Sequence, residues 1–212
     1  MSPLISSDQR EEYLNGRREK ILDAALQAFQ RNGFSATSVA EIASIAGIAK
    51  GTIYLYFESK EQIFSAILKE RSFVPVLANL VDDNQTIDVT LRIIAENFMK
   101  HIEKYIPLIK MVITDGIRFP DCAEQVYQES ILQSNLILAD YLERQSKSGK
   151  IRPLTNPFLT AKAIIGMMMY HVLTQEIMGG KNIYHIAQED WIEEVIRVFH
   201  NSLCPEINER LS

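Results

Sequence analysis

Apolar residues recur at helical spacing along almost the whole chain, and this pattern constrains the fold more than any other feature. No stretch alternates polar and apolar residues between hairpin turns, so the sequence predicts no strands. Prolines stand at first-turn positions and glycines at helix exits, which divides the pattern into about nine segments. The sequence therefore predicts an all-α protein, with helices over 17–32, 38–46, 49–57, 59 to about 80 with a kink or end at Pro75, 87–105, 107–116, 121–148, 157–178 and 189–203.

The segment between Thr37 and Phe64 has the pattern of two short helices joined by a tight turn. Ser38 and Glu41 have the spacing of a capping box, which begins a helix by satisfying its free backbone amides. Gly47 stands where the turn needs a left-handed backbone, which glycine adopts without steric cost. This arrangement predicts a helix-turn-helix, in which the second helix enters the major groove of DNA.

The side chains around the second of these helices suit contact with DNA. Between residues 42 and 57 the chain has no acidic side chain, and Lys50 is the single formal charge. Lysine, threonine and tyrosine side chains donate to phosphate oxygens, and a glycine lets the backbone approach closely. Thr37 also fits a purely structural role as a helix cap. The predicted DNA-binding residues are Thr37, Lys50, Gly51, Thr52, Tyr54, Tyr56 and Lys60.

The distribution of charge agrees with a DNA-binding surface near the N-terminus. The chain of 212 residues has a net charge of −5, which argues against a non-specific nucleic-acid coat and a polybasic membrane binder. Residues 17–60 contain six basic and four acidic side chains, so they contribute +2 and leave −7 for the rest. We therefore expect a DNA-facing module on an acidic body.

The same segment resembles the DNA-binding domain of the TetR family of one-component transcriptional regulators. The resemblance covers about residues 17–64 and lies in the motifs Thr37, Ile42-Ala43, Ala46-Gly47-Ile48, Gly51-Thr52-Ile53-Tyr54, Tyr56-Phe57 and Ser59-Lys60-Glu61. The chain departs from the family at Ala49, where many members have a serine or threonine that would cap the recognition helix. The resemblance implies a DNA-binding domain over 1–64 and a helical effector-binding and dimerisation domain over 65–212.

The last two predicted helices have the apolar surface of a dimer interface. Helix 157–178 is apolar on nearly all sides, so it must be covered on two sides, and a second subunit would supply one cover. The final helix has an apolar stripe at helical spacing, and the resemblance likewise implies a homodimer through these two helices. The predicted interface residues are Ile165, Met168, Val172, Ile192, Val195, Ile196 and Phe199.

The helical body is also expected to bind a small-molecule effector of largely apolar character. Methionine and aromatic side chains on the central helices suit such a pocket, because methionine adapts to irregular cavities. Each candidate also fits an ordinary core position, which is the commoner role for these residue types. The candidate ligand-binding residues are Phe98, Ile102, Tyr105, Met111, Phe119, Tyr127, Met168 and His171.

Other classes of function lack their motifs in this sequence. Cys122 and Cys204 lie too far apart for zinc-site spacing, and His185, Glu189 and His200 do not form a metal set. No nucleophile–base pattern or phosphate-binding glycine loop is present, so the sequence predicts no enzyme, cofactor or metal. Without a signal peptide or an apolar run of about 18 residues, we expect a cytoplasmic protein that does not bind membranes.

These observations favour a homodimeric regulator, usually a repressor, that binds a palindromic operator in double-stranded DNA. Two recognition helices one DNA turn apart would read such a palindrome. The effector would favour a conformation that no longer matches the operator. Two alternatives stay open: a ligand-binding helical dimer that does not bind DNA, and a helical enzyme.

Overall fold

The computed structural model describes residues 7–116 and 120–204, and every regular element within these ranges is helical. The all-α prediction is therefore confirmed. No helix in these ranges is both long enough and apolar enough to span a bilayer. The α-helices are α1 (Ser7–Ala36), α2 (Val39–Ala46), α3 (Lys50–Ile53), α4 (Lys60–Arg71), α5 (Val74–Leu80), α6 (Ile87–Gly116), α7 (Pro120–Val126), α8 (Gln133–Lys147), α9 (Pro157–His171) and α10 (Gln188–Leu203).

The predicted helix break at Pro107 is wrong, because α6 continues through this residue. Proline removes one backbone N–H, which leaves the carbonyl of Glu103 without its helical partner. Pro107 and Glu103 are both exposed, so water can bind that carbonyl. Tyr105 and Leu108 on either side are buried, and their packing stabilises the helix across the proline.

The break near Pro75 is confirmed, although it comes slightly earlier than expected. Helix α4 ends at Arg71, and α5 begins with Pro75 in its first turn, where the missing N–H costs nothing. Two wider π-helical segments, Tyr127–Leu132 before α8 and Val172–Ile177 after α9, have no counterpart in the sequence prediction.

The described residues group into two compact units. The first contains the described residues up to Arg71 together with those of 107–129, and the second contains residues 72–106 and the described residues from Ser130 onwards. The first unit includes the described part of the module predicted over 1–64, and it adds the end of α6 and α7. The domain boundary at residue 64 stays a prediction.

Three phenylalanines form the aromatic core of the first unit. The ring centroids of Phe29 and Phe34 lie 5.3 Å apart, and Phe64 on α4 packs edge-on against Phe29 at 5.7 Å. All three side chains are buried. Such aromatic contacts contribute about 0.5–1.5 kcal/mol each beyond the burial of their area. They join the end of α1 to α4.

The close packing of α8 against α9 forms the centre of the second unit. Leu138, Tyr141 and Leu142 on α8 are fully buried, as are Ala161 and Ile164 on α9. A small side chain such as Ala161 lets the two helix backbones approach closely. Burial of each leucine or isoleucine side chain contributes about 1.5–3 kcal/mol to folding.

His171 gives the second unit a pH-dependent stability. Its ring is stacked on that of Trp191 with centroids 4.3 Å apart, and burial lowers the pKa of His171 despite the opposing field of Glu176. The unfolded chain binds the proton at its ordinary pKa of about 6.5, so it takes up more protons than the folded chain below that pH. Burial of the neutral His171 ring therefore contributes to the free energy of unfolding above about pH 6.5. This contribution is lost as the pH falls through the folded-state pKa of His171.

We predict that His171→Gln reduces the fall in unfolding free energy on acidification from about pH 7 to about pH 5, the range around an ordinary histidine pKa. The control His185→Gln changes an exposed histidine and should leave the fall as in the wild type. Urea unfolding at each pH measures the difference. Equal pH dependence in His171→Gln and the wild type would contradict the prediction.

Candidate DNA-binding surface and effector region

The turn between α2 and α3 has the predicted geometry. Ser38 Oγ accepts a hydrogen bond from the Glu41 N–H at 3.2 Å, which caps the start of α2. Gly47 has φ 65° and ψ 36°, so the prediction of a left-handed glycine is confirmed. The Ile48 N–H donates to the Ala43 carbonyl at 3.0 Å and closes the end of α2. These local bonds fix the direction in which α3 leaves the turn.

Five predicted DNA-binding residues lie on α3 or just after it. Lys50, Gly51 and Tyr54 are exposed, and Thr52 and Tyr56 are half-buried. The Lys50 Nζ lies 5.9 Å from the centroid of the Tyr54 ring, so the ammonium and the phenol share one surface. A Cβ built on Gly51 meets only open space, which agrees with close access to the backbone there. Contact of these residues with DNA stays a prediction.

Lys60 and Thr37, also predicted to bind DNA, have partners inside the first unit. The Lys60 ammonium donates to the carbonyls of Phe34 at 2.8 Å, Ser35 at 3.1 Å and Thr37 at 3.0 Å. It also lies 4.6 Å from the centroid of the Phe34 ring. Thr37 is 2% exposed, and its hydroxyl donates to the Gly33 carbonyl at 2.8 Å. This geometry favours structural roles for both residues, while their contact with DNA stays a prediction.

Leu55 belongs to the same surface but was not among the predicted residues. Its side chain is 81% exposed and follows the exposed Tyr54, while Ile53 and Phe57 on either side are buried. An exposed apolar side chain beside a recognition helix can contact a thymine methyl group in the major groove. Helical spacing could have indicated its exposure, because Leu55 falls between the two core positions.

Ion pairs connect α1 to α4, next to the segment that contains the predicted DNA-binding residues. Arg18 contacts Glu70 on α4 at 2.5 Å, and its guanidinium lies 5.3 Å from the centroid of the Phe57 ring. The hydrogen bond to Glu70 raises the pKa of Arg18, so this residue stays charged. Arg71 also contacts Asp23 on α1 at 3.2 Å. Because these pairs are partly exposed, each contributes at most about 1 kcal/mol.

Three of the candidate effector residues lie together on α6 in the second unit. Phe98, Ile102 and Tyr105 are buried at helical spacing on one face. The ring of Phe98 packs edge-on against Phe73 with centroids 5.3 Å apart, and His101 packs against Tyr105 at 4.8 Å. The structure therefore places these residues in an aromatic cluster.

The remaining effector candidates are distributed over the chain. Met168 and His171 are buried on α9 in the second unit. Met111, which is buried, and Tyr127, which is 48% exposed, belong to the first unit instead. Phe119 lies outside the described residues.

Two buried polar groups that the sequence did not single out lie at the π-helical segments. Asn135 donates to the carbonyl of Ile131 at 2.7 Å, but its buried Oδ1 has no hydrogen-bond partner. Gln175 lies inside the second π-helical segment, and its buried Oε1 also has no partner. Such segments are frequent at functional sites. No periodicity in the sequence marks them, because a single wide turn leaves the helical spacing nearly unchanged.

Six of the seven predicted dimer interface residues are buried within their own subunit. Met168 is 1% exposed, Ile165 is half-buried, and the other five are buried. This burial favours a core role for these six residues, while their place at a dimer interface stays a prediction. The exposed residues of α9 follow another stripe at helical spacing: Leu159, Lys162, Ala163, Gly166 and Tyr170.

Two protein families match this chain. The family of bacterial regulatory proteins called tetR matches residues 21–67. The C-terminal domain of the AefR-like transcriptional repressors matches residues 89–202, which is more than half of the chain. The first match contains α2, α3 and the Lys60 contacts, and the second contains most of α6 and α8 to α10.

Curated relatives are similar to this chain over a limited part of its length. The fatty acid metabolism regulator protein of Bacillus subtilis (strain 168) is 46% identical over 52 residues, which cover 24% of this chain and 27% of that protein. The chain thus matches about a quarter of the length of this relative.

Solved structures are similar over nearly the full length. A TetR-family transcriptional regulator from Mesorhizobium loti MAFF303099 has a TM-score of 0.73 at 19% identity, covering 90% of this chain and 98% of that one. The transcriptional regulator FadR from Bacillus subtilis, solved in complex with stearoyl-CoA, has a TM-score of 0.69 at 24% identity, covering 85% and 96%. At these identities the likeness establishes the fold. Together with the two family matches, it shows that the chain belongs to the TetR family of transcriptional regulators.

Proposed function

We propose that this protein is a homodimeric repressor that binds a palindromic operator and is released from it by a largely apolar small molecule. One observation carries the proposal. A capped turn presents Lys50, Tyr54 and Leu55 on an exposed surface that has no acidic side chain between residues 42 and 57, in a chain of the TetR family. Such a surface suits the phosphates and base edges of the major groove.

The contacts within the first unit divide the predicted DNA-binding residues into two groups. Lys50, Thr52 and Tyr54 have side chains available for phosphates or bases. Lys60 and Thr37 hold the end of α1 and the start of α4 in place, so their contribution to DNA binding is indirect. The same geometry argues against a dimer that has lost DNA binding, because the available group remains exposed and the positioning group remains complete.

The exposed stripe of α9 is the surface that we propose for dimerisation. Leu159 is 59% exposed and Tyr170 is 68% exposed. In a monomer both side chains would leave a large apolar surface in contact with water. Between them lie Ala163, with a single methyl group, and Gly166, with no side chain, and both permit close approach of a second helix. A two-fold axis through this stripe would pair identical surfaces.

The effector is proposed to be a fatty acyl compound, and the solved FadR complex of Bacillus subtilis with stearoyl-CoA supports this choice. The second unit offers the apolar cluster around Phe98, Ile102 and Tyr105. The unpartnered oxygens of Asn135 and Gln175 could accept hydrogen bonds from the polar end of such a ligand. The effector can release DNA only if it binds the DNA-free conformation more tightly than the DNA-bound one.

The salt dependence of operator binding tests the different roles proposed for Lys50 and Lys60. We predict that Lys50→Ala lowers the slope of log affinity against log salt concentration by about one, because one phosphate contact is lost. Lys60→Ala should leave the slope unchanged but lower the unfolding free energy by at least about 2 kcal/mol, since hydrogen bonds to charged groups contribute about 1.5–3 kcal/mol each.

Lys100→Ala removes an exposed lysine of α6, outside α3 and the α9 stripe, and is the control for a non-specific effect of charge. Fluorescence anisotropy on the gene's own promoter DNA measures the slopes, and urea unfolding measures the stabilities. A lower slope with unchanged stability in Lys60→Ala would make Lys60 a phosphate contact. The absence of any sequence-selective binding by the wild type would overturn the proposed function.

Dimerisation can be tested at a position where the subunit itself has room. A Cβ at Gly166 meets only open space, and a glycine in a helix interior is unfavourable by about 1 kcal/mol. We predict that Gly166→Glu keeps the folded subunit but converts dimers to monomers and weakens operator binding. Gly16→Glu makes the same change in α1, again in open space, and should leave the dimer intact. Sedimentation equilibrium distinguishes the outcomes, and a dimeric Gly166→Glu protein would exclude this stripe as the interface.

Release by the proposed effector is measured on the same promoter complex. We predict that stearoyl-CoA weakens operator binding by about 5- to 150-fold, the usual range of allosteric coupling. Coenzyme A without the acyl chain is the control and should have no effect, because the apolar cluster binds the chain. If neither the operator complex nor the free protein responds to stearoyl-CoA, the fatty acyl class is excluded while DNA binding stands.

A further inference from the structure

Three metal-ligating side chains from two helices converge at one edge of the second unit. Asp88 is in the first turn of α6, His200 is in the last turn of α10, and Cys204 directly follows α10. One ligand atom of each, a carboxylate oxygen, an imidazole nitrogen and the Cys204 Sγ, lies within 4.8 Å of the other two. From these positions we infer that Asp88, His200 and Cys204 form a binding site for a divalent transition metal, with Zn²⁺ as the best match.

The spacing of His200 and Cys204 places both on one face of α10. Residues four apart are neighbours on a helix surface, and the Cys204 N–H closes the final turn by donating to the His200 carbonyl at 2.8 Å. Two ligands in adjacent turns of one helix, completed by a third from a distant segment, are a common basis of zinc sites. Here the third ligand is the carboxylate of Asp88.

Asp88 supplies an observation that is independent of this spacing. Its Oδ2 is 2.7 Å from Nδ1 of His200, whereas its Oδ1 is buried and has no hydrogen-bond partner. A buried carboxylate oxygen without a partner loses its solvation and gains nothing in return. A cation between the carboxylate, the imidazole and the sulfur would compensate this loss.

The scaffold around the three side chains is already fixed. Arg92, one turn further along α6, donates two hydrogen bonds to Glu193 of α10 at 2.7 and 3.0 Å. At the other end, the Arg152 N–H donates to the carbonyl of Leu203 at 2.7 Å. The first pair joins the start of α6 to α10, and the second bond fixes the end of α10, so metal binding needs only small side-chain movements.

Distances and chemistry identify the class of metal. Nitrogen, oxygen and sulfur atoms around a tetrahedral zinc at about 2.0–2.3 Å lie about 3.3–3.8 Å apart, so the cluster must contract by about 1 Å. A set of imidazole, carboxylate and thiolate matches zinc and other borderline metals better than Mg²⁺ or Ca²⁺, which prefer oxygen ligands. Three protein ligands leave the fourth position to water.

The exposure of the site permits the ion to enter. The side chain of His200 is 47% exposed and that of Asp88 is 37% exposed, while Cys204 is half-buried. As the metal–sulfur bond forms, the thiol proton passes to solvent and the ion exchanges its waters for the three ligands. No oxidant or reductant takes part in this step.

Cobalt substitution tests the site in the untagged, full-length protein with a phosphine reductant present. The background is Cys122→Ser, which leaves Cys204 as the single cysteine, since the chain has two. We expect one Co²⁺ per chain, with the intense visible bands of tetrahedral coordination and a thiolate-to-cobalt charge-transfer band in the ultraviolet. Zn²⁺ should displace the cobalt and remove these bands.

Variants of each ligand make the assignment specific. Cys204→Ser, which conserves size, should abolish the charge-transfer band, and His200→Ala and Asp88→Asn should each weaken Zn²⁺ binding by more than about 100-fold, because even outer-shell partners contribute about 10- to 100-fold. His185→Ala is the histidine control and should bind as the background protein does. Zn²⁺ should also raise the unfolding temperature of the background protein but not that of Cys204→Ser.

Three results would overturn the inference: no charge-transfer band in the background protein, a band that survives Cys204→Ser, or equal Zn²⁺ affinity in the background protein and in His200→Ala. Circular dichroism confirms that each variant is folded before its affinity is compared. The test is independent of DNA binding, so its failure leaves the proposed repressor function untouched.

Discussion

The carbonyl groups around the end of α1 are the constraint on which the first unit depends. The last carbonyls of a helix have no partner within it, and each must find another donor or water. Lys60 satisfies the carbonyls of Phe34, Ser35 and Thr37 with one ammonium group, which has three donors. Because Lys60 begins α4, these bonds fix the start of α4 against the end of α1. The helix-turn-helix lies in the chain between the two points, so its position follows from this junction.

Helix α9 shows how one apolar helix can serve two surfaces. Its inner side, with Ala161, Ile164 and Met168, is buried within the second unit. The outer side still has Leu159 and Tyr170 in solvent. The composition of the helix predicted two covers, but it did not show which side each residue faces. That choice depends on the rotation of α9 against α8, which is set by packing between residues far apart in sequence.

The sequence was most informative where the interactions are local. Ser38 and Gly47 act within four residues of their own positions, so their roles could be predicted from spacing. The partners of Lys60 lie 23 to 26 residues away, and Asp88 lies 112 residues from His200. From the sequence, Lys60 was expected to contact DNA, and Asp88 had no predicted role. The actual neighbours of both residues are distant in sequence and come close only in the folded chain. The π-helical segments escaped prediction for a different reason, since they hardly alter the periodicity of the buried positions.

The recognition segment is held by packing and not by its own helical stability. Helix α3 has four residues, and Ala49 before it provides no side-chain cap. A helix this short is unstable in isolation, because the conformational entropy lost in forming the first turn exceeds the free energy gained from its hydrogen bonds. What fixes it are the buried side chains of Ile53 and Phe57 and the hydrogen bonds that close the preceding turn. The exposed residues between them can therefore differ among regulators without loss of the fold, which lets operator specificity change while the supporting core remains.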